Sequence, residues 1–207
     1  MIDEHAIERE LRIAAAGEAD HPLPDLSDAA ANAGLLDVAY ATLDSPLGTL
    51  LLASTERGLV RLAYVDYEGE DDVIAELAGR ISPRVLAAPR KLDEPRRELD
   101  QYFTGSRQRF DVPIDWRLTQ GFGRRVLRAT ARIPYGAVSS YKQVAAAAGS
   151  PRGSRAAGNA LGSNPIPIVV PCHRVLHSGG GLGGYTGGVE RKRLLLDVER
   201  GGGTDPA

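Results

Sequence analysis

The chain of 207 residues contains one cysteine, Cys172, inside the run Pro171-Cys172-His173-Arg174-Val175. A lone thiol rules out an intramolecular disulfide and a zinc site of several thiolates, so either reactivity or packing must explain it. A thiol becomes a nucleophile where a cation, a base or a helix N-terminus favours its thiolate. His173, Arg174 and the basic residues around them offer such groups. The competing explanation is a small buried hydrophobe, the commoner fate of a cysteine. His173 need not touch Cys172, because adjacent side chains often diverge. To act as a base it would need an orienting carboxylate. Asp197 and Glu199, in the helical pattern Glu190–Glu199, are the nearest downstream candidates, and spacing does not choose between them.

Between the thiol and those acids runs a glycine-rich stretch, Ser178 to Gly188. Gly179, Gly181 and Gly184 satisfy G-x-G-x-x-G, but neither a βαβ unit nor a ribose-binding acid accompanies them, so a dinucleotide site is rejected. Gly183, Tyr185 and Thr186 read instead as part of a loop that approaches a ligand closely, suited to the wall of a base-sized pocket.

The charge pattern suggests the ligand. Net charge is only -2, yet residues 1–115 carry 23 acidic and 12 basic side chains, whereas residues 116–189 carry nine basic and no acidic ones. The nine are Arg117, Arg124, Arg125, Arg128, Arg132, Lys142, Arg152, Arg155 and Arg174. Such a local field attracts a phosphate backbone despite a near-neutral total. With 43% hydrophobic and 25% charged residues, the composition is globular and fits one large domain or two small ones. No apolar run approaches the roughly 18 residues of a membrane span, and the acidic first thirty residues lack the features of a secretory signal. A soluble, cytoplasmic protein is expected.

The elements that must hold these residues follow from periodicity. Residues 1–37, with a possible helix over Asp3–Ala16, read as an appendage. Strands are expected at Val38–Leu43, Thr49–Ala53 and Leu59–Val65, forming a small antiparallel sheet, followed by helices at Asp71–Arg80 and Lys91–Phe103. The period then turns helical, at Gly121–Ile133, Ser140–Ala148 and Ser154 to about Gly162. The last two, joined through Gly149-Ser150-Pro151-Arg152-Gly153, have the spacing of a helix-turn-helix. Ala156, Ala157, Gly158 and Ala160 would let a partner, DNA or another helix, come close. Ile166–Val170 reads as a buried extended run delivering Cys172.

The Ser139-Ser140-Tyr141 run, Arg155-Ala156-Ala157-Gly158-Asn159-Ala160, Asn164-Pro165, the Pro-Cys-His-Arg-Val pentapeptide, Gly184-Tyr185-Thr186-Gly187-Gly188 and Leu194-Leu195 through Glu199 together resemble the O6-alkylguanine-DNA alkyltransferases. The likeness is strong over about 116–200 and looser from about 38. It implies a ribonuclease H-like α/β domain over 38–115, followed over 116–207 by a helical, winged-helix-like DNA-binding domain. It implies direct repair of O6-alkylguanine, and of some alkylated thymine, in double-stranded DNA by irreversible, single-turnover transfer of the alkyl group to the protein's own cysteine. No cofactor and no metal are implied, and the protein is expected to be a monomer in solution.

By the resemblance, Cys172 is the acceptor, Glu199 orients His173, His173 deprotonates Cys172 through a water, Asn164 shapes the turn, and Tyr141 donates to guanine N3. The Cys172 and Val175 carbonyls would receive the guanine amino group, with Gly183, Tyr185 and Thr186 at the base. Arg155 is the finger that replaces the extruded nucleotide, and Ala156, Ala157, Gly158, Arg124, Arg152 and Arg174 would contact DNA. The chain departs from some relatives in lacking the cysteines for an N-terminal zinc site and for a methylphosphotriester domain. Two rival readings of the same residues are a non-catalytic DNA-recognition module and, more remotely, a cysteine hydrolase.

Overall fold

The structure, a computed structural model, describes residues 33–201. The helix expected at Asp3–Ala16 lies outside the described residues. Three strands appear near their expected positions, β1 (Val38–Leu43), β2 (Leu50–Thr55) and β3 (Gly58–Tyr64). β2 and β3 form a hairpin with Thr55 opposite Gly58, and β1 is antiparallel to β2. The expected all-antiparallel sheet needs correction. A fourth strand, β4 (Val85–Ala87), lies parallel to β1, and the order is β3-β2-β1-β4. Three residues with an exposed Leu86 and Ala87 carry no alternation to read; their pairing with β1 makes them a strand.

Both faces of this sheet are covered. Helix α1 (Glu70–Arg80) places Val73 and Leu77 against Val38, Leu51, Ala53, Val60 and Ala63. The opposite face, with Ala41, Leu50, Leu52, Leu59, Leu62 and Tyr64, packs on Leu99, Tyr102 and Phe103 of helix α2 (Asp93–Phe103) and shares one core with the C-terminal half. Each fully buried leucine there contributes about 1.5–3 kcal/mol. A bulge sets which face each β3 side chain takes. Ala53 pairs with Arg61 but Ser54 with Leu59, leaving Val60 as the extra residue. Beyond the bulge, Leu62 and Tyr64 point toward the C-terminal half.

That half is built from α3 (Gly121–Thr130), α4 (Tyr141–Ala147), α5 (Ser154–Gly162) and α6 (Val189–Glu199). The start of α4 is fixed by a capping box, in which the Ser140 hydroxyl accepts from the Gln143 N–H and the Gln143 side chain accepts from the Ser140 N–H. Gly149, at φ +86°, turns the chain toward α5. A two-stranded parallel ladder, β5 (Ser139–Ser140) with β6 (Val175–Leu176), ties the residue before Tyr141 to the segment after Cys172. Ile166–Val170 is buried as expected, but it is not extended. Val170 N–H returns to the Ile166 carbonyl at 2.9 Å, and Ile168 takes φ +72°. For a β-branched residue such a φ is strained.

The hairpin between β2 and β3 depends on one glycine. A Cβ at Gly58, where φ is +123°, would lie 2.1 Å from the Pro113 carbonyl oxygen. Gly58→Ala is therefore expected to lower stability by about 3 kcal/mol in urea unfolding.

Candidate active site

Cys172 opens a 3-10 turn, Cys172–Arg174, and is only 5% exposed. Its Sγ accepts a hydrogen bond from Asn164 Nδ2 at 3.2 Å. The same Nδ2 donates to the Val170 carbonyl at 2.8 Å, while Asn164 Oδ1 accepts from the Ile166 N–H at 3.1 Å. Asn164 thus staples the irregular 164–172 turn and presents a donor to the sulfur. Burial pushes the thiol up to about 11, against the opposing pull of Asn164 and of the Lys192 ammonium. At neutral pH the resting group is a thiol, and its ionisation needs a base.

His173 is fully buried and is the nearest such group in sequence. Its Nε2 lies 2.7 Å from Glu199 Oε1. Glu199 is buried at the end of α6 and also accepts from Tyr102 Oη at 2.7 Å, from the Arg174 guanidinium at 2.8–3.0 Å, and from the Gly136 N–H at 3.2 Å. Burial alone would raise its carboxyl, but hydrogen bonds from His173 and Arg174 outweigh that and hold it near 2. An ionised Glu199 accepts at Nε2, so Nε2 carries the proton. Nδ1 then keeps its lone pair, and it is buried without a partner. Desolvation lowers the imidazole pKa, despite the raising effect of Glu199, so the ring is neutral and able to take a proton.

Asp197, the other candidate orienter, is half-exposed and pairs with Arg200 at 3.5 Å; helix phase turns it outward. Lys192, one α6 face with Leu195 and Glu199, escaped sequence reasoning. It is completely buried, donates to the Val175 carbonyl at 2.6 Å, and has its ammonium pKa lowered by burial to about 8. A lysine in helical phase with the inward Leu195 and Leu196 was the available signal.

Cys172 lines a cleft of about 970 Å³ together with Tyr141, Arg155, Gly158, Tyr185, Thr186 and Gly184. Lys142 of the basic segment and Asn159 also line it, as do Tyr67, Glu68, Ser154 and His177, for which the sequence suggests no role at the site. His177 packs against Tyr141 with ring centroids 5.1 Å apart. Gly183 makes room for that pair, since a Cβ there would lie 2.6 Å from Tyr141 Oη. Thr186 Oγ1 donates to the Gly162 carbonyl at 3.0 Å, closing the wall against α5. Val175 is fully buried, and its carbonyl already accepts from Lys192.

Some expected DNA contacts require correction. Arg152, Arg155 and Ala156 are exposed on the α5 side of the cleft. Ala157 is fully buried in the core, where α5 packs on its neighbours. Arg174 is 6% exposed and committed to Glu199 and the Ile133 carbonyl, so its charge is neutralised inside the protein. Arg124 is half-buried, with its guanidinium on the Thr119 carbonyl. Helix phase, invisible to a count of basic residues, separates these from the exposed ones.

The chain matches two family profiles. One, described as the ribonuclease-like domain of 6-O-methylguanine DNA methyltransferase, covers residues 38–116; the other, its DNA binding domain, covers residues 121–201. A methylated-DNA–protein-cysteine methyltransferase of Mycolicibacterium paratuberculosis is 42% identical over 79% of this chain and 93% of its own length. The constitutive enzyme of that name from Bacillus subtilis is 37% identical over 78% of this chain and 94% of its own. A crystal structure of Mycobacterium tuberculosis OGT in complex with DNA superposes with a TM-score of 0.68, at 38% identity, covering 79% of this chain and 93% of that one.

Since Glu199 titrates near 2 rather than 4.5, its contribution to stability is complete above about pH 4.5 and is lost as pH falls through 2. Glu199→Gln, which strands the buried Arg174 charge, is expected to cost about 3–5 kcal/mol at pH 7. In urea unfolding the deficit relative to the parent should shrink as the pH is lowered toward 2.

Proposed function

The chain belongs to the 6-O-methylguanine DNA methyltransferase family, and on that premise we propose that Cys172 is the atom-accepting residue of a DNA repair reaction. The protein repairs alkylated DNA by transferring the alkyl group to a cysteine of its own. The observation that carries the assignment of Cys172 is its geometry. The thiol is the sole cysteine sulfur of the chain, lines a cleft roomy enough for a base, and adjoins a histidine oriented by a buried carboxylate and kept neutral by its own burial.

In the mechanism we assign, the Cys172 proton passes to His173 Nδ1 through a water, and the sulfur attacks the alkyl carbon on guanine O6. A carbon–sulfur bond forms as the carbon–oxygen bond breaks, and the electron pair leaves on the guanine. Tyr141 donates to N3 as that charge develops, which stabilises the transition state. The product is a thioether, which no group in the site reverses, so each molecule acts once. An alkyl group stacked in a duplex cannot reach a buried sulfur, hence the nucleotide must be extruded, and the weakened alkylated pair lowers that cost. Exposed Arg155, beside the cleft on α5, is suited to fill the gap in the stack. Arg152, Ala156 and Gly158 belong to the same DNA-facing surface.

We further assign residues 38–115 to the N-terminal domain, 116–207 to the DNA-binding and transfer domain, and the cytoplasm as the site of action. Among the described residues no helix is long and apolar enough to cross a membrane.

Cys172→Ala is expected to keep duplex affinity within about twofold and to abolish transfer; transfer that survived would reject the acceptor. His173→Ala should slow transfer at pH 7 by about a hundredfold or more. Its rate should then climb with pH toward the thiol's own value of about 11, whereas the parent rate should fall only in acid, as the imidazole gains a proton. Arg155→Ala should slow reaction with duplex DNA about tenfold while leaving reaction with free O6-benzylguanine within about twofold. Equal losses on both substrates would remove the finger role.

A further inference from the structure

We propose that Tyr64, on the sheet of the N-terminal domain, is a positioning residue for alkyl transfer, its hydroxyl holding Tyr185 at the wall of the cleft. The inference rests on Cys172 being the acceptor.

Tyr64 ends β3 and is completely buried. Its hydroxyl lies 2.9 Å from that of Tyr185, with ring centroids 6.3 Å apart at 64°. Tyr185 meets the His173 ring edge-on at 6.5 Å on another side and lines the cleft with Cys172. One hydrogen bond therefore links the N-terminal sheet to a wall of the reacting site. Among the described residues the Tyr185 hydroxyl has no other protein partner.

Tyr64 is itself held by its neighbours. The Arg191 guanidinium sits 4.6 Å from its ring centroid. Arg191 also donates to the Gly187 carbonyl and the Leu47 carbonyl, each at 2.8 Å, and to Asp66 at 2.5 Å. Against the ring lies the glycine loop, where a Cβ at Gly187 would come within 2.6 Å of Tyr64 Cδ2, and φ there is +85°. The loop carrying Tyr185 is thus pressed onto Tyr64, and the hydroxyl pair fixes where the Tyr185 ring stops. With that bond removed, the Tyr185 side chain loses its one polar anchor while the thiol, His173 and Glu199 keep all of theirs. The loss should fall on binding of the base and leave the chemical step intact.

The test is a double-mutant cycle on reaction of the full-length protein with free O6-benzylguanine, separating the half-saturating concentration from the limiting rate. Tyr64→Phe is expected to raise the half-saturating concentration about three- to tenfold, the worth of one hydrogen bond, with the limiting rate changed less than about twofold. Tyr185→Phe, which removes the same bond from the cleft side, should give the same rise and carries the test if Tyr64→Phe does not fold. In the Tyr185→Phe background, Tyr64→Phe should add nothing. A lowered melting temperature with unchanged saturation, an additive double variant, or an inert Tyr185→Phe would each overturn the proposal. Failure of the parent protein to react at Cys172 would instead overturn the acceptor assignment on which it rests.

Discussion

Glu199 is a buried anion at the C-terminal end of a helix, where burial and the helix dipole both oppose its charge. It is tolerable only because donors converge on it from three other parts of the chain. Tyr102 reaches in from α2 of the N-terminal half, Gly136 from the turn before β5, and His173 and Arg174 from the cysteine segment. Satisfying one carboxylate therefore pins four segments around the thiol. It also dictates the histidine's protonation: Nε2 is spent on Glu199, so the remaining nitrogen is the base. The buried Arg174 balances the carboxylate, which is why a residue of the basic segment is withdrawn from the surface.

The two halves of the chain meet over the reactive turn as well as in a shared core. The free edge of β3 is hydrogen-bonded to that turn, with the Leu62 N–H on the Pro165 carbonyl at 2.9 Å and the Arg61 guanidinium on the same oxygen at 3.2 Å. Pro165 adjoins Asn164, the donor to Cys172. The bulge at Val60 matters here, because it sets the facing of Leu62 and Tyr64. A strained Ile168 in the same turn persists because its neighbours are held from both sides.

Much of this was legible in the sequence, and the gaps have physical causes. β1 and α5 are legible with their boundaries intact, β1 as a short run of strand-forming apolar residues and α5 as a helical pattern between Gly153 and Gly162. β4 and the β5–β6 ladder were not, being two or three residues long and defined by a distant partner. The segment before Cys172 was correctly read as buried; its apolar run could not distinguish an extended strand from a hydrogen-bonded turn. The choice between Asp197 and Glu199 required the phase of α6, and so did the recognition of Lys192. The same limit explains Ala157, for which composition left DNA and another helix both open, and Arg174, which the basic count placed in the field facing DNA; packing assigns both to the interior. Residue type announced the chemistry at Cys172 and His173, whereas the three-dimensional neighbourhood decides which charges are available to a partner.

The claim that Cys172, activated by His173, is a one-time alkyl acceptor is tested most directly by intact mass. The protein would be weighed before and after incubation with excess duplex carrying one O6-methylguanine, and then mapped by peptide. The account predicts a gain of one methylene unit, saturating at one per protein and confined to the peptide holding Cys172. No gain with DNA binding intact, or a gain on any other residue, would contradict it.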